Sequence, residues 1–122
     1  MLKIFNHRYV RIIYNNMLKR TKTYLPSHEW ITNDEIKKMG LAKSGQDELG
    51  ELVYIDFSVE KGDIVEKDDE LIILESVKAT DAINSPDNFK IVDINENFDL
   101  ELINEDPECE TNSWLVKLKS IS

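Results

Sequence analysis

The chain is short of the residues that cross-link or punctuate a fold. Its 122 residues include one cysteine, three prolines and four glycines. The lone thiol, Cys109, excludes an internal disulfide framework and any multi-cysteine metal site. No apolar run approaches the roughly 20 residues that a membrane-spanning helix needs. The longest runs, such as Leu71 to Leu74, are strand-length, which argues against stable membrane association. There is no glycine-rich phosphate loop, no Gly-x-Ser-x-Gly elbow and no histidine pair at metal spacing; His7 and His28 are the only two imidazoles. Cys109 stands between Glu108 and Glu110, where neighbouring anions oppose thiolate formation. The sequence therefore reads as that of a non-catalytic protein.

Charge is present in quantity and unevenly placed. The net charge is -9, but residues 1–22 hold six bases, Lys3, Arg8, Arg11, Lys19, Arg20 and Lys22, and no acid. The rest of the chain carries nine bases against 24 acids. An acidic body repels phosphate backbones, so nucleic acid is not an expected partner. In the basic arm Leu2, Phe5, Tyr9 and Ile12 or Ile13 recur at helical spacing, the pattern of a mitochondrial-type targeting peptide. Met17-Leu18-Lys19 repeats Met1-Leu2-Lys3, which places a second start or a processing point near Arg20. The expected organisation is an arm over 1–22 and one domain over 23–122. The expected compartment is the mitochondrial matrix or a related organelle, or the cytoplasm if the source is bacterial.

From Thr23 onward short apolar runs alternate with polar turns. Leu52 to Phe57, Leu71 to Leu74, Lys90 to Ile94 and Trp114 to Leu118 are strand-sized and rich in Val, Ile, Tyr and Phe. The last alternates, with Trp114, Val116 and Leu118 expected inside and Lys117 and Lys119 outside. One helix is expected, Lys43 to Leu49, ended by Gly50. Turns fall to Asn and Asp, at Asp68-Asp69, Asp87-Asn88, Asn95-Glu96-Asn97 and Asn104-Glu105-Asp106-Pro107. Short spacing between them favours antiparallel pairing, and no internal repeat stands out. The fold class is all-β, a small barrel or sandwich with minor short helices.

Glu70 to Pro86 holds the informative stretch: an apolar strand, a short polar connection with one lysine, and a second strand ended by Pro86. That pattern raises Lys78 on a hairpin tip, exposed and accessible to a modifying enzyme. Composition alone would leave it an unmodified surface lysine. Glu75-Ser76-Val77-Lys78-Ala79, however, resembles the lipoyl-attachment sequence of the H protein family of the glycine cleavage system. Tyr24-Leu25-Pro26-Ser27-His28-Glu29-Trp30 resembles that family's His-Glu-Trp block. Gly40, Gln46-Asp47, Leu49-Gly50 and Val53-Tyr54 resemble its next segment, and Asn104 to Pro107 with Trp114 to Lys117 its closing one. Biotin carriers flank the target lysine with methionine, whereas Val77 and Ala79 flank it here.

The resemblance implies a lipoyl-domain-like barrel-sandwich hybrid that carries lipoate in amide linkage to Lys78, with Glu75, Ser76, Val77 and Ala79 as the attachment motif. It implies a carrier that takes an aminomethyl group from glycine decarboxylase to aminomethyltransferase and presents the reduced dithiol to dihydrolipoyl dehydrogenase. A lipoate-attaching enzyme is a further implied partner. Ser27 and Glu29 match positions that hold the amine in a surface cleft. A further acid is expected four residues after the lysine, where Ala82 stands; Asp81, one residue early, is the third candidate for the cleft, although in a regular strand it would face away. Phe89, Asn112 and Ser113 replace family glycines, the family's Leu-Pro reads Phe57-Ser58, and the sequence stops at Ser122 where the resemblance leads one to expect a C-terminal helix. Two other readings stay open: an H-like carrier that relays lipoate or serves another redox partner, and an unmodified acidic β-module that binds a partner protein.

Overall fold

A computed structural model describes residues 22–121, so residues 1–21 of the basic arm expected over 1–22, and with them the targeting reading, lie outside the described part. The elements are β1 (Lys22–Tyr24), β2 (Glu29–Thr32), β3 (Ile36–Leu41), α1 (Lys43–Leu49), β4 (Leu52–Phe57), β5 (Ile64–Val65), β6 (Glu70–Ser76), β7 (Thr80–Asn84), β8 (Phe89–Ile94), α2 (Leu100–Glu105) and β9 (Val116–Ser120). They form a six-stranded sheet, ordered β1-β2-β3-β9-β8-β5, and a three-stranded sheet, ordered β4-β6-β7. Every pairing is antiparallel, as the short connections imply. The architecture is the expected all-β sandwich with short helices.

One core joins the two sheets. Met39, Leu41, Val116, Leu118 and Ile91 from the larger sheet and Leu52, Ile55, Leu71, Ile72, Leu74 and Ile83 from the smaller are buried in a single apolar cluster. A β-bulge in β6 lets consecutive residues Leu71 and Ile72 both enter it. Phe89, which replaces a family glycine, opens β8 and is itself buried in that cluster. Among the described residues only His28 and Asp68 are non-glycines with positive φ, so neither Phe89, Asn112 nor Ser113 occupies left-handed backbone. The turn freedom that glycine would supply is not used there.

Strands β1, β2, β3 and β5 and helix α2 escape the sequence pattern, and β1, β2 and α2 do so for identifiable reasons. All four residues of β2 are buried, so the polar side of the alternation is missing. Trp30 is fully buried and its indole N–H donates to the Pro107 carbonyl at 2.8 Å. Lys22, counted with the arm, opens β1; its ammonium lies 4.7 Å from the centre of the Trp30 ring and donates to the Glu108 carbonyl. The Glu108 carboxylate accepts from the Tyr24 hydroxyl and from the Lys43 N–H, each at 2.8 Å, so it caps α1, whose own cap residue Ala42 offers no side-chain acceptor. Shelter of that hydroxyl, then the hydrogen bond and charge of Glu108, push Tyr24 up to about 12. Helix α2 takes Asn104 and Glu105 out of the expected turn; Asp99 caps it by accepting from the Glu101 and Leu102 N–H groups.

The last strand starts later than its alternation suggested. Leu115 and Val116 are buried, whereas Trp114 is half-buried outside β9, with the Lys117 ammonium 4.6 Å from its ring centre. Trp114 therefore lies beside a lysine expected on the other face.

A short internal repeat does exist. Val59-Glu60-Lys61-Gly62-Asp63 and Val65-Glu66-Lys67-Asp68-Asp69 fold into equivalent turns. Asp63 Oδ2 accepts from the Glu60 N–H at 2.8 Å, and Asp69 Oδ2 from the Glu66 N–H at 2.9 Å. The third residues, Gly62 and Asp68, have φ of 96° and 75°. Each turn then docks through two backbone bonds, Gly62 to Ile91 and back to Asp63 in the first, Asp68 to Ser85 and back to Asp69 in the second. The repeat thus stitches the first turn to the middle of β8 and the second to the residue that follows β7. A Cβ at Gly62 would meet nothing within 4 Å, so the position isolates backbone conformation from packing. Gly62→Ala is expected to cost about 1 kcal/mol, and Asp68→Gly to gain up to about 1 kcal/mol, in denaturant unfolding.

Candidate functional site

The β6–β7 hairpin ends in a turn closed by one side chain. Glu75 pairs with Thr80, and the Ser76 N–H donates to the Ala79 carbonyl at 2.9 Å. The Ser76 hydroxyl accepts from the Lys78 N–H at 3.1 Å and the Ala79 N–H at 3.0 Å, and donates to the Ala79 carbonyl at 3.1 Å. The Val77 N–H reaches the Glu51 carbonyl at 3.1 Å. All four N–H groups from Ser76 to Ala79 are thereby satisfied without a positive φ, so Val and Lys suit the turn as well as glycine would. Val77 is 64% exposed and Lys78 is exposed. Among the described residues Lys78 makes no ion pair. Its stem runs along Gly50, the C-cap of α1: a Cβ there would lie 3.2 Å from Lys78 Cε and 3.6 Å from Cδ.

Beside the stem opens a cleft between α1, β7 and the β1–β2 turn, lined by Ser27, His28, Glu29, Glu48, Leu49, Asp81 and their neighbours. The turn holds its shape by bonds between Leu25 and Glu29 and between His28 and Leu25, with His28 at φ 72°. Helix α1 approaches it so closely at Gly45 that a Cβ would stand 2.8 Å from the His28 carbonyl, a contact only glycine permits. His28 Nδ1 and Ser44 Oγ share a hydrogen bond of 3.0 Å, while Nε2 lies 3.4 Å from Glu48, so the imidazole bridges the turn to α1. The imidazole is exposed, yet both its nitrogens face polar partners.

Glu29 is 3% exposed and accepts from the Ser27 hydroxyl at 2.7 Å. Burial pushes its carboxyl above the usual range and the Asp81 charge adds to this, while the Ser27 hydroxyl and His28 act in the opposite direction. Asp81 corrects the expectation that it faces away. It stands opposite Leu74, whose side chain is buried, so both share the inner face of the sheet and Asp81 borders the cleft. The register of β7 against β6, which the sequence alone does not show, decides this. Ser27, Glu29 and Asp81 are therefore together, whereas Glu75 is exposed on the strand opposite Tyr54. His28 and Glu48 were not singled out for the cleft, and their helix–turn bridge left no local signal.

A lysine raised on a closed turn, beside a cleft lined by the carboxylates of Glu29, Glu48 and Asp81 in a two-sheet fold, is the arrangement of a carrier domain of the barrel-sandwich type. Over residues 22–122 the sequence matches the family described as Glycine cleavage H-protein, and the chain belongs to that family. It is 39% identical over 103 residues to the glycine cleavage system H protein of Thermotoga maritima, covering 82% of this chain and 81% of that one. The corresponding protein of Psychrobacter cryohalolentis is 37% identical over 100 residues, covering 79% and 77%. The mitochondrial H protein of Pisum sativum is 34% identical over 112 residues, covering 89% of this chain and 66% of the relative. The crystal structure of a glycine cleavage system H protein from Mycobacterium marinum shares the fold, with TM-score 0.74 at 23% identity over 84% and 85% of the two chains. H proteins are non-catalytic, lipoate-carrying components of their system.

The raised carboxyl of Glu29 has a consequence for stability. Below the unfolded value the group is protonated in both states. As pH rises, the unfolded chain ionises first and the fold loses stability until the buried carboxyl ionises too. Glu29→Gln is expected to unfold at higher denaturant than the parent near neutral pH, with the difference vanishing below about pH 3.

Proposed function

We propose that this protein is the lipoylated carrier of the glycine cleavage system, with lipoate in amide linkage to Lys78. The observation that carries the reading is the closed turn. It satisfies its own backbone, binds no side chain of Lys78, and leaves the ammonium without an ion pair among the described residues. Acylation there removes one charge and strands no partner, so the site fits the group. When bound, lipoate supplies a disulfide that accepts an aminomethyl fragment and later returns as a dithiol for reoxidation.

The protein's own share is presentation and shelter. Ser76 fixes the turn, and Gly50 leaves a backbone surface along which the stem can lie. Ser27, Glu29 and Asp81 offer a cationic amine one hydroxyl and two carboxylates, and a cation between them would draw the Glu29 carboxyl back toward its ionised form. Tethering keeps the cargo at high effective concentration as it passes from glycine decarboxylase to aminomethyltransferase, and the dithiol to dihydrolipoyl dehydrogenase. The three polar groups on one cleft support this reading over a carrier that merely relays lipoate. A lipoate-attaching enzyme is the partner that must act first. The basic arm over 1–22 supports delivery to the mitochondrial matrix, in line with the mitochondrial label of the pea relative. Among the described residues no helix is long and apolar enough to cross a membrane.

Incubation with lipoate, ATP and a lipoate-attaching enzyme is expected to add one lipoyl group to the parent and none to Lys78→Arg. Being exposed, that substitution should change stability by less than about 0.5 kcal/mol. The loaded parent should then support glycine-dependent bicarbonate exchange by glycine decarboxylase. Modification of Lys78→Arg, or a loaded parent inert with glycine decarboxylase, would overturn the reading.

A further inference from the structure

The Lys78 turn leans on Glu51, and Glu51 is itself braced from a distant part of the chain. We propose that Asn104, backed by Gln46, is a positioning residue for Lys78; the functional consequence rests on the carrier reading, the geometry does not. Gln46, buried on α1, donates through Nε2 to the Asn104 carbonyl at 2.7 Å and to Asn104 Oδ1 at 3.1 Å. The Asn104 side chain then meets the Leu52 backbone twice. Its Oδ1 accepts from the Leu52 N–H at 2.8 Å, and its Nδ2 donates to the Leu52 carbonyl at 2.9 Å.

That two-point bond is what a neighbouring strand would supply, and among the described residues β4 lies at the edge of its sheet with no strand on that side. The edge needs it at this spot, because the β4–β6 register shifts between Leu52 and Tyr54, and a bulge interrupts the regular ladder. Leu52 stands opposite Ser76, and Glu51 just before it accepts the Val77 N–H. Gln46 also reaches the other side of the tip, since its carbonyl accepts from the N–H of Gly50, over which the Lys78 stem lies. Two amides thus join α1, α2 and the start of β4 into the surface that supports the turn. Without them a fraction of turns would lose the Glu51 contact. An enzyme that recognises only the braced form would see the carrier at a reduced effective concentration, raising its KM by the inverse of the fraction that stays braced and leaving kcat unchanged.

Asn104→Asp keeps the shape, removes the Nδ2 donor and sets a negative charge against the Leu52 carbonyl. In the unmodified protein, amide exchange at Val77 is expected to quicken by about tenfold, while the Ile91 N–H, bonded to Asp63 in the other sheet, keeps its rate. In lipoylation the KM for the carrier should rise at unchanged kcat by the inverse of the braced fraction that remains, and so by less than the tenfold change in exchange. Gln46→Met, which removes only the second donor, should move both readouts the same way by less, and carries the test if Asn104→Asp does not fold. The proposal fails if Val77 exchange is unchanged, if it quickens only in step with Ile91, or if kcat falls at constant KM. Failure of the parent to accept lipoate would refute the carrier reading and leave the exchange result to decide the bracing.

Discussion

The hydroxyl of Ser76 closes the turn on which Lys78 stands, and the rest of the site is arranged around that closure. A two-residue connection between antiparallel strands ordinarily turns to glycine or asparagine in left-handed geometry. Here one side chain accepts two backbone N–H groups and donates to a carbonyl, so Val77 and Lys78 occupy the tip in ordinary conformations. The lysine is therefore held out by a closed support, its stem along Gly50 and its ammonium without an ion pair among the described residues. A carrier needs that division, because each partner must take the tether into its own active site without unfolding the domain that bears it.

The cleft next to the tip shows the complementary strategy. Glu29 is held nearly out of solvent and close to Asp81, an arrangement that disfavours its own ionisation. Two carboxylates that repel each other are a poor structural element, and the proposed amine cargo would relieve that repulsion. The cost falls on stability and the benefit on binding, and the surrounding bridges from His28 to Ser44 and Glu48 hold the cleft walls in place.

Much of this was legible in the sequence and some of it was not. Helix Lys43–Leu49 and its Gly50 cap are found where the local pattern put them, and β4, β6 and β8 contain the apolar runs that announced them. The hairpin tip was legible because a polar break between two apolar stretches has few other solutions. Strand β2 was not, since burial on every side erases alternation, and β1 is held by Glu108 from 84 residues away. Asp81 was placed on the wrong face because its orientation depends on which β6 residue it opposes. The cap at Asp99 was a local signal for α2 that a turn-rich neighbourhood concealed. The Gln46–Asn104 pair had no local signal at all, since its partners are 58 residues apart.

The central claim is covalent and can be weighed directly. The measurement is the intact mass of the protein purified from its native source, with peptide mapping across Lys78. The account predicts a single lipoyl adduct on Lys78. An unmodified Lys78 in cells that lipoylate their other carrier proteins would contradict it and leave an acidic β-module whose partner is still to be found.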